Sequence, residues 1–423
     1  MPFFMASSAL FATWFGSETI LGSSSEFFEH GLIGVVEDPF GAALCLVLIG
    51  LFFAKRLYNL NIRSFGDFYL IRYGKRVELI ASLCIVLSYF GWIAAQLVAL
   101  GVLFESIMGI SREMGMVIGA LVVCFYTWFG GLWAVAITDT VQTIVIIVGL
   151  LIIAILITLE VPDLSQKMND LPKDYFRFYP VSWKESFTYF AAWITIGLGS
   201  IPQQDVFQRV MASKNEKVAV SSSILAGIMY LSIGLIPIYI VMVAKVGNLH
   251  TDGGQNMIPD LVLFHGNTFI QVIFSGALIS AILSTSSGAI LAPATVLEEN
   301  ILNRVFNKNS SDKKRLKLVR YMIVLIAMIS LVMAFVEGNI YDLVASSSAL
   351  SLVSLFIPLV MGLFLKSKNE MAALLSICFG MLAWVFFEYI CPIDFPSIVL
   401  GLVASMLGWL IGELVVRSSK KTT

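Results

Sequence analysis

The sequence predicts an all-α polytopic membrane protein of about 12 transmembrane helices, an inverted 5+5 helix repeat with helices 1 and 6 broken. Three observations lead there. The 423 residues are 58% hydrophobic and only 13% charged, whereas a soluble domain carries roughly 25% charged residues. Met116–Thr127, Val141–Leu159 and Tyr321–Val336 are nearly unbroken apolar runs, and a span needs about 20 such residues. Their Leu, Ile and Ala, with internal Gly and Pro, fit helices and not the alternating strands of a membrane barrel.

Taken in order, the apolar runs place helices at 3–29, 32–54, 77–105, 112–130, 133–159, 184–208, 216–246, 267–298, 318–337, 341–365, 370–390 and 395–416. The whole chain, 1–423, reads as one domain. Residues 3–159 form the first five-helix repeat and 184–366 the second, inverted one; 367–423 add two accessory helices and a short tail. The longest connections, Glu160–Glu185 and Gly247–Gly266, are too short for a separate domain. The tail after Arg417 is expected to carry no enzymatic or signalling domain.

Lysine and arginine orient the chain, because cytoplasmic loops collect them. With the N-terminus inside, the cytoplasmic loops hold 21 of the 27 basic residues. They cluster at Lys55–Arg76, Arg209–Lys217, Arg304–Arg320, Lys366–Lys368 and Arg417–Lys421. Both termini are therefore expected in the cytoplasm, and the protein in the cytoplasmic or plasma membrane.

Other chemistries find little support. Cys45, Cys84, Cys124, Cys378 and Cys391 are scattered, without metal spacing or a disulfide framework. His30, His250 and His265 form no cluster. No phosphate-binding glycine motif and no nucleophile–base set is visible, so neither an enzyme, an organic cofactor nor a nucleic-acid partner is expected. The first residues lack a signal peptide's charged start and cleavage site.

Two interruptions carry the functional argument. FATWFGSETILG, Phe11 to Gly22, sets Ser17, Glu18 and Thr19 between Gly16 and Gly22 inside an apolar helix. Unwound backbone at membrane depth is costly unless it lines a cavity or binds something. A kink with Glu18 at the interface is the plainer alternative. ITIGLGSIPQQDVFQRV, Ile194 to Val210, breaks the sixth helix at Gly197, Gly199, Ser200 and Pro202. Proline removes a helical hydrogen bond and glycine loosens the turn before it. Paired breaks five helices apart are the signature of inverted repeats with a site between them.

The eighth helix adds ISAILSTSSGAILAPATVLEEN, Ile279 to Asn300. Ser280, Ser284 and Ser287 fall on one face. Membrane hydroxyls commonly bond their own backbone, but five hydroxyl residues in eight positions favour a lined site.

These segments resemble the sodium:solute symporter family. ATWFGSETILG, YTWFGGLWAVAITDTVQ, GSIPQQDVFQRVMAS and SAILSTSSGAILAPATVLEENI stand in that family's order and spacing. The resemblance implies the broken-helix transporter fold and a sodium ion as coupling ion. On matching positions it implies sodium ligation by the carbonyls of Ala12, Phe15 and Ala281 and the hydroxyls of Ser284 and Thr285. Asp139 matches a position implied in inner-gate structure or a second cation site. Family members place one helix ahead of the first broken helix, and this chain is expected to lack it.

The most similar branch holds proline permeases and choline transporters. Choline carriers cage a trimethylammonium in aromatic rings. Two cage positions match Trp14 and Trp92; two others fall on Ala42 and Gln203, which are not aromatic. Half a cage favours a small zwitterion, an amino acid such as proline, over choline or another quaternary amine. The expected substrate residues are Trp14, Ser17, Glu18, Trp92 and Gln203. Glu18 is an intramembrane acid, which is functional by default. The expected partners are sodium, a small solute and the lipid bilayer. A membrane sensor module is the alternative from another class. The sequence assigns no oligomeric state.

Overall fold

The structure, a computed structural model, describes residues 1–129, 132–249, 253–306 and 311–419. Gly130 and Gly131 of the fourth-to-fifth helix motif, together with His250, Lys308, Lys420 and Lys421, lie outside them. Among the described residues the chain is helical throughout, with no strand.

The first expected helix is two pieces, α1 (Phe3–Trp14) and α2 (18–30). α3 (42–58) follows a kinked stretch in which Asp38 is extended, φ −140° and ψ 125°, just before Pro39. Next come the short α4 (Phe65–Tyr73) and the long α5 (Lys75–Met108). α6 (Arg112–Phe129) and α7 (Leu132–Glu160) complete the first half. The sixth expected helix is also divided, into α8 (Trp183–Gly199) and α9 (Gln204–Met211). α10 (Glu216–Val246), α11 (Met257–His265), α12 (Thr268–Leu302), α13 (Asp312–Val336) and α14 (Ile340–Phe364) follow. α15 (Glu370–Ile390) and α16 (Ser397–Ser419) end the chain.

Ten stretches among the described residues are long and apolar enough to cross a membrane. The difference from twelve lies at the breaks. One stretch, Glu18–Tyr58, runs through two expected helices, and Phe3–Trp14 falls short as a separate piece. α8, at 17 residues, falls short for the same reason.

Helix starts follow local chemistry. Ser182, Asn215, Asn267 and Asn369 each accept a hydrogen bond from a first-turn amide. That satisfies one of the amides a helix start leaves unpaired. α5 is the central post, packed against α12, α13, α14 and α6. α10 packs on α1, α3 and α7. Large apolar side chains on the outer helices, among them Leu121, Phe125, Ile144 and Val332, point away from the protein. An exposed apolar belt on this scale marks a protein whose solvent is lipid.

Glycines set the closest approaches. α15 and α16 pair along their length, and a Cβ on Gly412 would lie 2.3 Å from the Ala372 Cα. A Cβ on Gly380 would lie 1.9 Å from the Val353 carbonyl oxygen, so glycine alone lets α15 reach α14 there.

Candidate functional site

Both breaks open at the centre of the bundle. α1 ends at Phe15 with ψ 86°, well outside helical values, and the chain resumes at Ser17. A wide turn over Glu18–Gly22 then carries it into the rest of α2. The gap is pressed against α12. Thr285 Oγ1 donates to the Ala12 carbonyl at 3.1 Å. A Cβ on Gly16 would lie 3.1 Å from the same Thr285 oxygen. Small side chains on either side of the turn therefore let backbone and hydroxyl meet.

The residues that the resemblance assigns to sodium gather around this contact. Ala12 and Thr285 touch, and Ser284 is adjacent on α12 with Ala281 one turn before it. Phe15, Ala281, Ser284 and Thr285 are all buried. The Ser284 hydroxyl donates to Asp139 on α7. Asp139 in turn faces Arg209, with Nη2 and Oδ2 3.9 Å apart. Arg209 also donates to the carbonyls of Ala9, at 3.1 Å, and Asp205, at 3.2 Å. Arg209 is 1% exposed. The sequence placed it in a basic loop cluster; it belongs to the interior instead.

At the second break, Gly199 ends α8 against α14. A Cβ there would come within 2.4 Å of the Ser348 carbonyl oxygen. The hydroxyls of Ser200 and Ser348 lie 3.1 Å apart. Gln203 is extended and starts α9. Asp205 fixes that start by accepting from Trp14 Nε1 at 3.1 Å and from the Tyr89 hydroxyl at 2.5 Å. The two broken helices are thus tied to each other through Trp14 and Asp205.

Between the breaks lies a narrow, nearly closed pocket of about 10 Å³, room for roughly one water molecule. Trp14, Glu18, Trp92 and Gln203 line it, as do Ala42 and Asp38. The Trp14 and Trp92 rings meet edge to face at 6.2 Å. Ser17, also expected there, is not among the lining residues. It donates instead to Glu18 Oε2 at 3.1 Å, and Gln96 reaches the same oxygen at 3.0 Å.

Asp38 is the residue that sequence reasoning missed. Its carboxylate accepts from the Tyr230 hydroxyl at 2.7 Å and from Ser23 at 3.1 Å. The Tyr230 oxygen also lies 2.5 Å from Thr19 Oγ1 and 3.2 Å from the Trp14 carbonyl. The signal was present: an Asp-Pro pair inside an apolar run is a second intramembrane acid with a helix breaker behind it.

The profile of the sodium:solute symporter family matches residues 1–380. The chain belongs to the sodium:solute symporter family. This is a family of symporters, not of enzymes. A high-affinity choline transporter of Torpedo marmorata is 30% identical to this family member over 395 residues, covering 88% of the chain and 66% of the relative. A sodium/pantothenate symporter of Haemophilus influenzae is 24% identical over 436 residues, covering 98% of the chain and 89% of the relative. Against the choline transporters the chain thus spans about two thirds of their length. A solved Na⁺-coupled sialic acid symporter, substrate-bound and outward-open, superposes with a TM-score of 0.81 at 20% identity, covering 98% of this chain and 90% of its own. That likeness shows the fold: a helical membrane bundle with inverted repeats and two broken helices.

Proposed function

We propose that this protein is a sodium-coupled symporter that carries a small organic solute into the cell by alternating access. One observation carries the reading: the unwound turn after Ala12 is held against the Thr285 hydroxyl of α12. Ala12, Phe15 and Ala281 would supply carbonyl oxygens and Ser284 and Thr285 hydroxyls, a neutral set suited to a cation that must also be released. Asp139, paired with Arg209, serves as a gate residue or second cation site. Residues 3–159 and 184–366 act as the two repeats of one transporter domain, with both termini in the cytoplasm.

Sodium closes α1 onto α12 and so favours the shape that binds solute, which makes the two ligands cooperative. Each inward charge gains about 2.3 kcal/mol per 100 mV. A tenfold concentration ratio adds about 1.4 kcal/mol. Together they concentrate a neutral solute by roughly two to three orders of magnitude.

The solute sits between Trp14 and Trp92, with Glu18, Ser17 behind it, and Gln203 as polar partners. It presents a positively charged nitrogen, as an amino acid such as proline does and as a quaternary amine does. Choline stays a second reading because of the relative in Torpedo marmorata.

The test is thermal unfolding of the purified chain in sodium chloride against potassium chloride. Sodium is expected to stabilise the native protein, and the Ser284→Ala, Thr285→Val double variant to lose that difference. Equal sodium dependence in the double variant rejects the assignment.

A further inference from the structure

We propose that the transported solute is a small organic cation with hydrogen on its ammonium nitrogen, one hydroxyl or carbonyl oxygen, and no free carboxylate. An amino alcohol is the simplest member of this class. The inference rests on the symport reading but departs from its amino-acid solute, because the pocket already holds two acids of its own.

The first ground is charge. Glu18 and Asp38 line one pocket, and among the described residues no basic side chain lines it. The one fully buried cation nearby, Arg209, is committed to Asp139 and to two backbone carbonyls. Among the described residues the hydrogen-bond partners of the Glu18 and Asp38 carboxylates are neutral: Ser17 and Gln96 for the first, Tyr230 and Ser23 for the second. Two buried acids without a counter-charge are costly to ionise, and an ammonium supplies the counter-charge that a carboxylate cannot. A zwitterion brings its own carboxylate into that field.

A second cavity points the same way. On the far side of α14 lies a larger basin lined by Glu37, Glu337, Asp342 and Glu388, again with no basic side chain among the described residues. α14 separates the two spaces: Val344 and Ser348 face the pocket, while Asp342 and Ala345 face the basin. α8 lies between them too, through Ile196 and Thr195. A solute crossing from basin to pocket meets carboxylates at both ends. Clefts lined by one sign of charge concentrate the opposite ion.

The unpaired polar atoms supply the rest. Gln203 Oε1 and Trp92 Nε1 are buried in the pocket wall without a hydrogen-bond partner, and each residue is 3% exposed. Buried groups of this kind cost free energy until something pairs them. One accepts and the other donates, so a solute hydroxyl can answer both, and an ammonium hydrogen with a carbonyl oxygen can do the same. A quaternary ammonium offers the carboxylates no hydrogen and needs aromatic faces on several sides. Here two of those sides are Ala42 and Gln203.

The experiment is dye-reported thermal unfolding of the full chain, using the buried thiols of Cys45 and Cys84. The probes are ethanolamine, choline, proline and glycolate, each titrated in sodium chloride and in potassium chloride. Ethanolamine is expected to raise Tm, with an apparent affinity about tenfold or more above that of choline. Proline and glycolate are expected to leave Tm unchanged. Glu18→Gln and Asp38→Asn should each weaken ethanolamine about tenfold while keeping the sodium-dependent shift that reports a folded protein. Choline or proline binding as well as ethanolamine, no response to ethanolamine, or unchanged affinity in both variants overturns the inference. If a variant does not fold, the rank order in the unaltered protein decides. Sodium stabilisation without an amine response sinks the solute class and leaves the symport reading; amine binding indifferent to sodium does the reverse.

Discussion

Arg209 and Asp139 face each other in the protein interior, 3.9 Å apart, each 1% exposed. The room for this arrangement comes from Gly288, where a Cβ would sit 2.9 Å from Arg209 Nη2. The pair joins α9 to α7, and Ser284 links it on to α12. Elements from both halves of the chain therefore meet at one pair of charges.

Breaking that pair leaves a buried charge alone. Arg209→Met is expected to destabilise the fold by about 3–5 kcal/mol, the usual cost of an orphaned buried ion. Combining it with Asp139→Asn should recover more than half of the loss. Unfolding in mixed micelles titrated with SDS measures both, and a double variant no better than the single one argues against a coupled pair.

Gly16→Ala tests the close approach of the unwound turn. The new methyl would lie 3.1 Å from Thr285 Oγ1 and 3.4 Å from Gln96 Oε1. Thr285 has to give way, and its bond to Ala12 lengthens. The sodium concentration that half-stabilises the protein is expected to rise several-fold, roughly the effect of about 1 kcal/mol. An unchanged midpoint would show that the turn does not set sodium affinity.

Two further glycines should respond in opposite directions. Gly380→Ala drives a methyl onto the Val353 carbonyl oxygen and should cost about 1–3 kcal/mol or more, as overpacking does. Gly276 is exposed in mid-helix, and a Cβ there meets nothing within 4 Å. Gly276→Ala should leave stability equal or raise it by about 0.5–1 kcal/mol. Paired thermal unfolding curves decide, and no loss at Gly380 would put the packing of α15 on α14 in doubt.

Asn300 closes the end of the bundle where α4, α5 and α12 converge. Its amide donates to Asp67 at 3.2 Å and to Glu78 at 2.9 Å, and its oxygen accepts from Ser64 at 2.8 Å. Asn300→Ala removes three hydrogen bonds while Asp67 and Glu78 keep Arg304, so each lost bond should cost about 0.5–1.5 kcal/mol. Hydrogen exchange should rise in Phe65–Tyr73 before it rises elsewhere. Uniform protection across that helix would count against the network as its anchor.

Much of this was legible in the chain, and the reasons are local. Apolar runs and capping residues such as Ser182 and Asn215 report helix positions directly, because lipid and unpaired amides punish errors at every turn. The breaks were legible because glycine, proline and acids are costly in an apolar helix. What was hidden depended on three dimensions. Arg209 stands beside Lys214 and Lys217 in the sequence and reads as part of a basic loop; only the approach of Asp139 and the carbonyl of Ala9 explains its burial. Asp38 was overlooked because it fell inside the expected helix 32–54, while its partner Tyr230 lies 192 residues away. Ser17 was taken for a pocket residue from its place in the break, and its side chain turns to Glu18 instead.

The phenol of Tyr230 has a consequence for motion. It meets the last carbonyl of α1, the first turn of α2 and the acid before Pro39. Three separate pieces of chain are thereby pinned to one point on α10. Any rocking of that long helix is shared among them at once, so the two halves of the first broken helix travel as linked levers rather than as independent flaps.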